Sequence, residues 1–265
     1  MRNTDDSIDK AVKKFEQLLL IMKRLRTDCP WDKKQTHASL CRYIIEEAHE
    51  SVDKIDHADW QGLAEELGDL LLQIVFQSAI AEEDNEFTIE TVLKRINTKM
   101  VERHPHVFGD ESVVSAKDVE TNWEKIKLNS EGRGSLLDGI PKILPALLKA
   151  QKIQEKAARI GFDWPDMKDI KSKLNEELEE LHTALDDKNQ EHVEEEIGDI
   201  LFTITNIARR LNIVAEDALR HSNNKFITRF QYIENQLGNQ YEKLQKATLE
   251  ELDRLWEKAK EENDR

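Results

Sequence analysis

A pattern of acidic residues occurs twice in this chain, 130 positions apart: residues 46–50 (EEAHE) and 65–71 (EELGDLL) return as 176–180 (EELEE) and 195–201 (EEIGDIL). Lys99 and Arg103 return as Lys225 and Arg229, Trp123 and Lys127 as Trp256 and Lys260, and Trp31 as Trp164, with small changes of offset in the intervening loops. A repeat of this length copies a whole structural unit, and two copies are too few for a solenoid, which needs about three or more stacked units. Two similar domains joined by a linker are therefore expected.

Each copy reads as helical. Ile8, Val12, Phe15, Leu18, Leu19, Met22 and Leu25 keep the 3.6-residue period and predict a helix over about 7–26. Further helices are predicted over 37–55, 61–82, 88–103 and 116–128, then over 142–159, 167–186, 190–211, 214–237 and 248–262. Thr88 and Ser115 are expected N-caps, Thr248 and Glu251 an expected capping box, and Pro141 is expected in the first turn of its helix. His104-Pro105 ends the fourth helix, because the residue before proline is excluded from the α region. Nine glycines and five prolines in 265 residues are less than half the usual share of roughly 12%, too few for a turn-rich β-protein. Three of those glycines fall in 129–139, NSEGRGSLLDG. The expected organisation is all-α, with two tandem helical bundles at 1–128 and 141–265 and a linker at 129–140.

The balance of 39 basic and 54 acidic residues, a net charge of −15, disfavours nucleic-acid grooves and anionic membranes as partners. No apolar run approaches the roughly 18 residues of a membrane span. Two cysteines, Cys29 and Cys41, make no disulfide framework and point to a reducing compartment. A cytoplasmic protein is expected.

The repeated acids carry the chemistry. Residues three apart on a helix lie about 60° apart around its axis, so Glu47 and Glu50 share one face and Glu66 and Asp69 another. Antiparallel packing of the two helices can bring the four together among apolar neighbours. Two such charges 4 Å apart repel by about 4 kcal/mol at an effective dielectric of about 20, so the cluster needs protons or a divalent cation. An all-oxygen donor set suits Mg²⁺, or Mn²⁺ in its place, better than zinc. Glu177, Glu180, Glu196 and Asp199 repeat the arrangement. A solvated helix face is the plainer reading of a single EExxE, and duplication weakens it. Lys99 with Arg103, and Lys225 with Arg229, each present two cations on one helix face, a pairing suited to phosphate oxygens. Trp123 and Trp256 are packing anchors or covers for a base or ribose. Gly68 and Gly198 each cost about 1 kcal/mol inside a helix, which close packing or close ligand approach would explain.

With EExxE at 46–50 and 176–180 followed by ExxD at 66–69 and 196–199, the chain resembles the MazG family of all-α nucleoside triphosphate pyrophosphohydrolases. CPWDKKQTH at 29–37 and LLDGIPKILPALLKAQKIQEKAARIGFDW at 136–164 are similar to the full-length, tandem members of that family. The resemblance implies Mg²⁺-dependent hydrolysis of an NTP or dNTP to the monophosphate and pyrophosphate by a homodimer. It implies Glu47, Glu50, Glu66 and Asp69, and likewise Glu177, Glu180, Glu196 and Asp199, as metal ligands. Lys225, Arg229, Trp256 and Lys260 would contact nucleotide and phosphate, with Lys99, Arg103, Trp123 and Lys127 as their counterparts. The second repeat is the better candidate for catalysis, although the first keeps every acid. CPWD in one repeat stands against FDWP in the other, which leaves the roles of Asp32 and Asp163 open.

In the mechanism this implies, a spare carboxylate, Glu46 or Glu176, takes the proton of the attacking water. Two other readings are a ferritin-like dimetal protein, from the Glu-x-x-His spacing of Glu46/His49 and Glu179/His182, and a non-catalytic helical adaptor. Position 130 beyond His49 is Glu179 and position 130 before His182 is Val52, so the histidine motifs are not part of the repeat.

Overall fold

The computed structural model describes residues 2–109 and 134–263. Its contacts divide the chain into unit 1, Met1–Glu131, and unit 2, Gly132–Arg265. Every regular element among the described residues is helical.

Unit 1 contains α1 (Arg2–Asp28), α2 (His37–Asp56), α3 (Trp60–Glu83), α4 (Ile89–Arg103) and the single turn α5 (Pro105–Phe108). Helices α2 and α3 form an antiparallel pair, and α1 and α4 pack on α3. The apolar stripes of α1, α2 and α3 meet in a core of Met22, Leu40, Val75, Phe76 and Ile80, with Phe15, Leu18, Leu19, Tyr43, Leu72 and Ala79 around it. Burying a side chain such as Leu40 contributes roughly 1.5–3 kcal/mol. Arg26 fixes the segment between α1 and α2: its guanidinium donates to the carbonyls of Asp32 and Gln35 and pairs with Glu83 at the end of α3. Asp32 thus serves this turn through its backbone. Thr88 caps α4 in a reciprocal box with Thr91.

Unit 2 contains α6 (Ala146–Arg159), α7 (Met167–Asp186), α8 (Gln190–Arg210), α9 (Ala215–Gln236), α10 (Tyr241–Lys246) and α11 (Leu249–Asn263). Here α7 pairs with α8, α6 packs on α8 and α9, and α11 packs on α9. Polar side chains do much of the joining. Gln151 on α6 accepts from the backbone N–H of Ala215 at 2.9 Å, and Gln154 donates to the carbonyl of Phe202 at 2.8 Å. Lys156 donates to the carbonyls of Leu136 and Asp138 at 2.9 and 3.3 Å, which fastens that segment to α6. Asp163 accepts from Arg209 at 2.6 Å and from Arg210 at 3.2 Å, tying the turn before α7 to the end of α8. Thr248 and Glu251 form the expected capping box, at 3.0 and 3.2 Å.

One expectation fails. Pro141 does not open a helix: α6 begins at Ala146 behind Pro145, whose ring bars the α region to Leu144. The short helices α5 and α10 were not foreseen, being only four and six residues long, too short to show a period. The predicted helix at 116–128 and the expected N-cap Ser115 lie outside the described residues.

Candidate metal and nucleotide site

Tight turns set the register of each acid-bearing pair. Ala58 and Lys188, matched in the repeat, both take left-handed backbone angles, with φ of 52° and 53°. The next residues, Asp59 and Asn189, accept hydrogen bonds from the first backbone N–H groups of α3 and α8. Each pair then folds back on itself with its acids in register.

In unit 2, carboxylate oxygens of Glu177, Glu196 and Asp199 lie within 4.8 Å of one another, as do those of Glu47, Glu66 and Asp69 in unit 1. The fourth expected ligand is not brought into either group. Glu180 in unit 2 and Glu50 in unit 1, three positions beyond Glu177 and Glu47, fall outside the three converging acids. Burial pushes the Glu196 carboxyl above its ordinary range, and repulsion from Glu177 and Asp199 adds to it. Burial also raises Glu47, with Asp69, Glu50 and Glu66 contributing. For Glu180, also raised, the neighbouring Glu177 carboxyl is the main cause, ahead of burial; for Glu50 burial leads and the charge of Glu66 follows.

These residues fit a hard cation. Glu177 is only 4% exposed, and Oε2 of Glu196 is buried with no hydrogen-bond partner. An orphaned carboxylate oxygen in a group of acids gains its missing partner when a divalent ion binds. The donors are all oxygen, as Mg²⁺ or Mn²⁺ prefers. Neither His49 nor His182 belongs to the converging groups, which removes the geometric support for a ferritin-like centre.

Two lysines that the sequence reading did not single out touch these groups. Lys173 Nζ lies 2.9 Å from Glu177 and 2.6 Å from Glu176. Lys54 Nζ lies 3.7 Å from Glu66. The repeat gave no signal for either, since Tyr43 matches Lys173 and Ala184 matches Lys54. Glu176 and Glu46 are exposed and outside the converging groups.

Of the expected nucleotide-contacting residues, Arg229 and Trp256 are brought together, the guanidinium carbon 5.6 Å from the ring centroid. Phe226 stands against Trp256 at 5.0 Å and stacks on Phe230 at 6.0 Å. Lys225 is exposed one turn before Arg229, and Lys260, one turn beyond Trp256, pairs with Glu257 at 2.5 Å. In unit 1, Lys99 is exposed and Arg103 half-buried on α4. Trp123 and Lys127 lie outside the described residues. Close packing within a unit does not explain the glycines: a Cβ built at Gly68 or Gly198 meets no atom within 4 Å.

A model of the MazG nucleotide pyrophosphohydrolase domain matches residues 35–108 and again 166–233, each match containing one set of acids. The nucleoside triphosphate pyrophosphohydrolase/pyrophosphatase MazG of Thermotoga maritima is 44% identical over 250 residues, covering 93% of this chain and 95% of that protein. The nucleoside triphosphate pyrophosphohydrolase of Escherichia coli K12 is 40% identical over 256 residues, covering 93% and 97%. Protein YabN of Bacillus subtilis is 46% identical over 252 residues, covering 93% of this chain and 52% of that one. With the domain present twice and relatives matched nearly end to end, the chain belongs to the MazG nucleotide pyrophosphohydrolase family and is a hydrolase of that family.

Proposed function

We propose that the protein hydrolyses nucleoside triphosphates, ribose or deoxyribose, to the monophosphate and pyrophosphate, using Mg²⁺ or Mn²⁺. The observation that carries this reading is the converging Glu177, Glu196 and Asp199 with an orphaned oxygen on Glu196, inside a domain whose relatives bear that activity in their names.

In this reading Glu177, Glu180, Glu196 and Asp199 hold the metal in unit 2, and Glu47, Glu50, Glu66 and Asp69 in unit 1. Bound Mg²⁺ supplies positive charge against the phosphoryl oxygens and acidifies water at the site. Lys225, Arg229 and Lys260 take phosphate oxygens, Arg229 by its fork and the lysines as point charges. Trp256 covers the base or ribose. Lys99, Arg103, Trp123 and Lys127 play the same parts in unit 1. Glu176 and Glu46 are the proposed proton acceptors, and unit 2 is the main catalytic unit.

A homodimer belongs to the same reading. Leu67, Leu71 and Ile74 on α3 are exposed, and so are their repeat partners Ile197, Leu201 and Ile204 on α8. Gly68 and Gly198 sit within these apolar stripes with open space before them, as a closely approaching second copy requires. A cytoplasmic setting without nucleic-acid or membrane partners accords with the net charge of −15, and no helix of the described residues is long and apolar enough to cross a membrane.

The test is a panel of NTPs and dNTPs incubated with Mg²⁺, with Mn²⁺ and with EDTA. Turnover with either metal and none with EDTA is expected; metal-independent turnover would overturn the assignment of the acids. No turnover of any nucleotide would favour the adaptor.

A further inference from the structure

We propose that Lys173 is an exchangeable counter-ion of the unit 2 metal site: its ammonium holds Glu177 while no cation is bound and yields it when one enters, keeping its contact with Glu176. This rests on the reading of Glu177 as a metal ligand.

Lys173 lies one turn before Glu177 on α7 and reaches two carboxylates at once, Glu177 at 2.9 Å and Glu176 at 2.6 Å. The two acids are unlike. The Glu177 side chain is 5% exposed and that of Glu176 is 57% exposed. A buried carboxylate left without a positive partner is strongly disfavoured, so Glu177 needs a cation of one kind or another. The exposed Glu176 is solvated either way, and it offers Lys173 a second partner when Glu177 turns to the metal. Exchange therefore strands neither the lysine nor the buried acid.

Unit 1 is built differently. Tyr43 stands where unit 2 has Lys173, and the lysine that touches its acids, Lys54, is 3.7 Å from Glu66 and comes from the last turn of α2. The two sites thus carry their internal positive charge on different ligands, more tightly in unit 2. An entering ion must displace Lys173 there, which weakens its apparent affinity.

The test uses the full chain carrying Glu66→Gln and Asp69→Asn, so that unit 2 alone reports. Mg²⁺ affinity is read by calorimetry, and thermal unfolding is followed with and without Mg²⁺ at constant ionic strength. Lys173→Met is expected to bind Mg²⁺ about tenfold tighter while its metal-free form unfolds at a lower temperature, because removing a competing charge favours the ion. Lys173→Arg should restore both values, and Lys173→Gln serves in place of Lys173→Met should the latter not fold. A lysine that only supports the fold would lower stability with and without metal and leave affinity unchanged. Unchanged or weaker Mg²⁺ binding in the neutral variants overturns the counter-ion role and leaves the metal site standing. Absence of Mg²⁺ binding before Lys173 is altered overturns both.

Discussion

Glu177 and Glu196 stand on different helices, 19 positions apart, and bring carboxylate oxygens within 4.8 Å of each other. Glu47 and Glu66, also 19 apart, do the same in the other unit. Turns with left-handed Ala58 and Lys188 set both registers, so the repeat conserves a meeting of charges and not merely a run of acids. A fold that forces like charges together twice invites tests of what the charges hold.

Glu196→Ala or Asp199→Ala is expected to reduce pyrophosphate release by at least the roughly 10–100-fold that loss of even an outer partner of a metal site costs. Glu66→Ala or Asp69→Ala should reduce it less. Steady-state kinetics of the four single variants decide the matter: the opposite ranking moves the main active site to unit 1, and equal losses mean two working or strongly coupled sites.

Mg²⁺ should raise the unfolding temperature, since an ion at 100 times its Kd stabilises the native state by about 2.7 kcal/mol per site. Glu196→Gln with Asp199→Asn should remove unit 2's share, and Glu66→Gln with Asp69→Asn that of unit 1. If all four changes together leave the wild-type shift intact at constant ionic strength, these acids do not bind the metal.

Light scattering should find a dimer, and Leu71→Asp together with Leu201→Asp should dissociate it. Both leucines are exposed within their own units, so the charges tax an interface between copies and not the core. A wild-type monomer, or a variant dimer of undiminished affinity, would contradict the dimer reading.

Asp163 gives a pH dependence that needs no metal. Burial pushes its carboxyl up, but hydrogen bonds and charge from Arg209 and Arg210 outweigh this and leave it below its ordinary value. Its stabilising contribution is therefore complete above the unfolded value of about 3.9 and is lost as pH falls through the lower folded value. Asp163→Asn should lose roughly 1–3 kcal/mol at neutral pH, and the gap to wild type should close in acid below that window. A gap independent of pH would mean that the aspartate acts by shape alone.

The acids were legible because the helical period and the repeat report the same faces twice; α2 was expected over 37–55 and runs to Asp56. Lys54 and Lys173 were not legible, since each breaks the repeat and a lysine near glutamates on a helix is commonplace. The Asp163 contacts join positions 46 and 47 apart, beyond any local period, and Pro145 overrode the start that Pro141 suggested. Gly68 and Gly198 were visible as anomalies, but only the structure separates packing within a unit from approach by something outside it.

The identity of the products decides which phosphoanhydride bond is cut. Phosphorus NMR of the reaction of a nucleoside triphosphate with Mg²⁺ should show monophosphate and pyrophosphate rising together in equal amounts from the first turnover. Orthophosphate and nucleoside diphosphate as the primary products would contradict the proposed reaction.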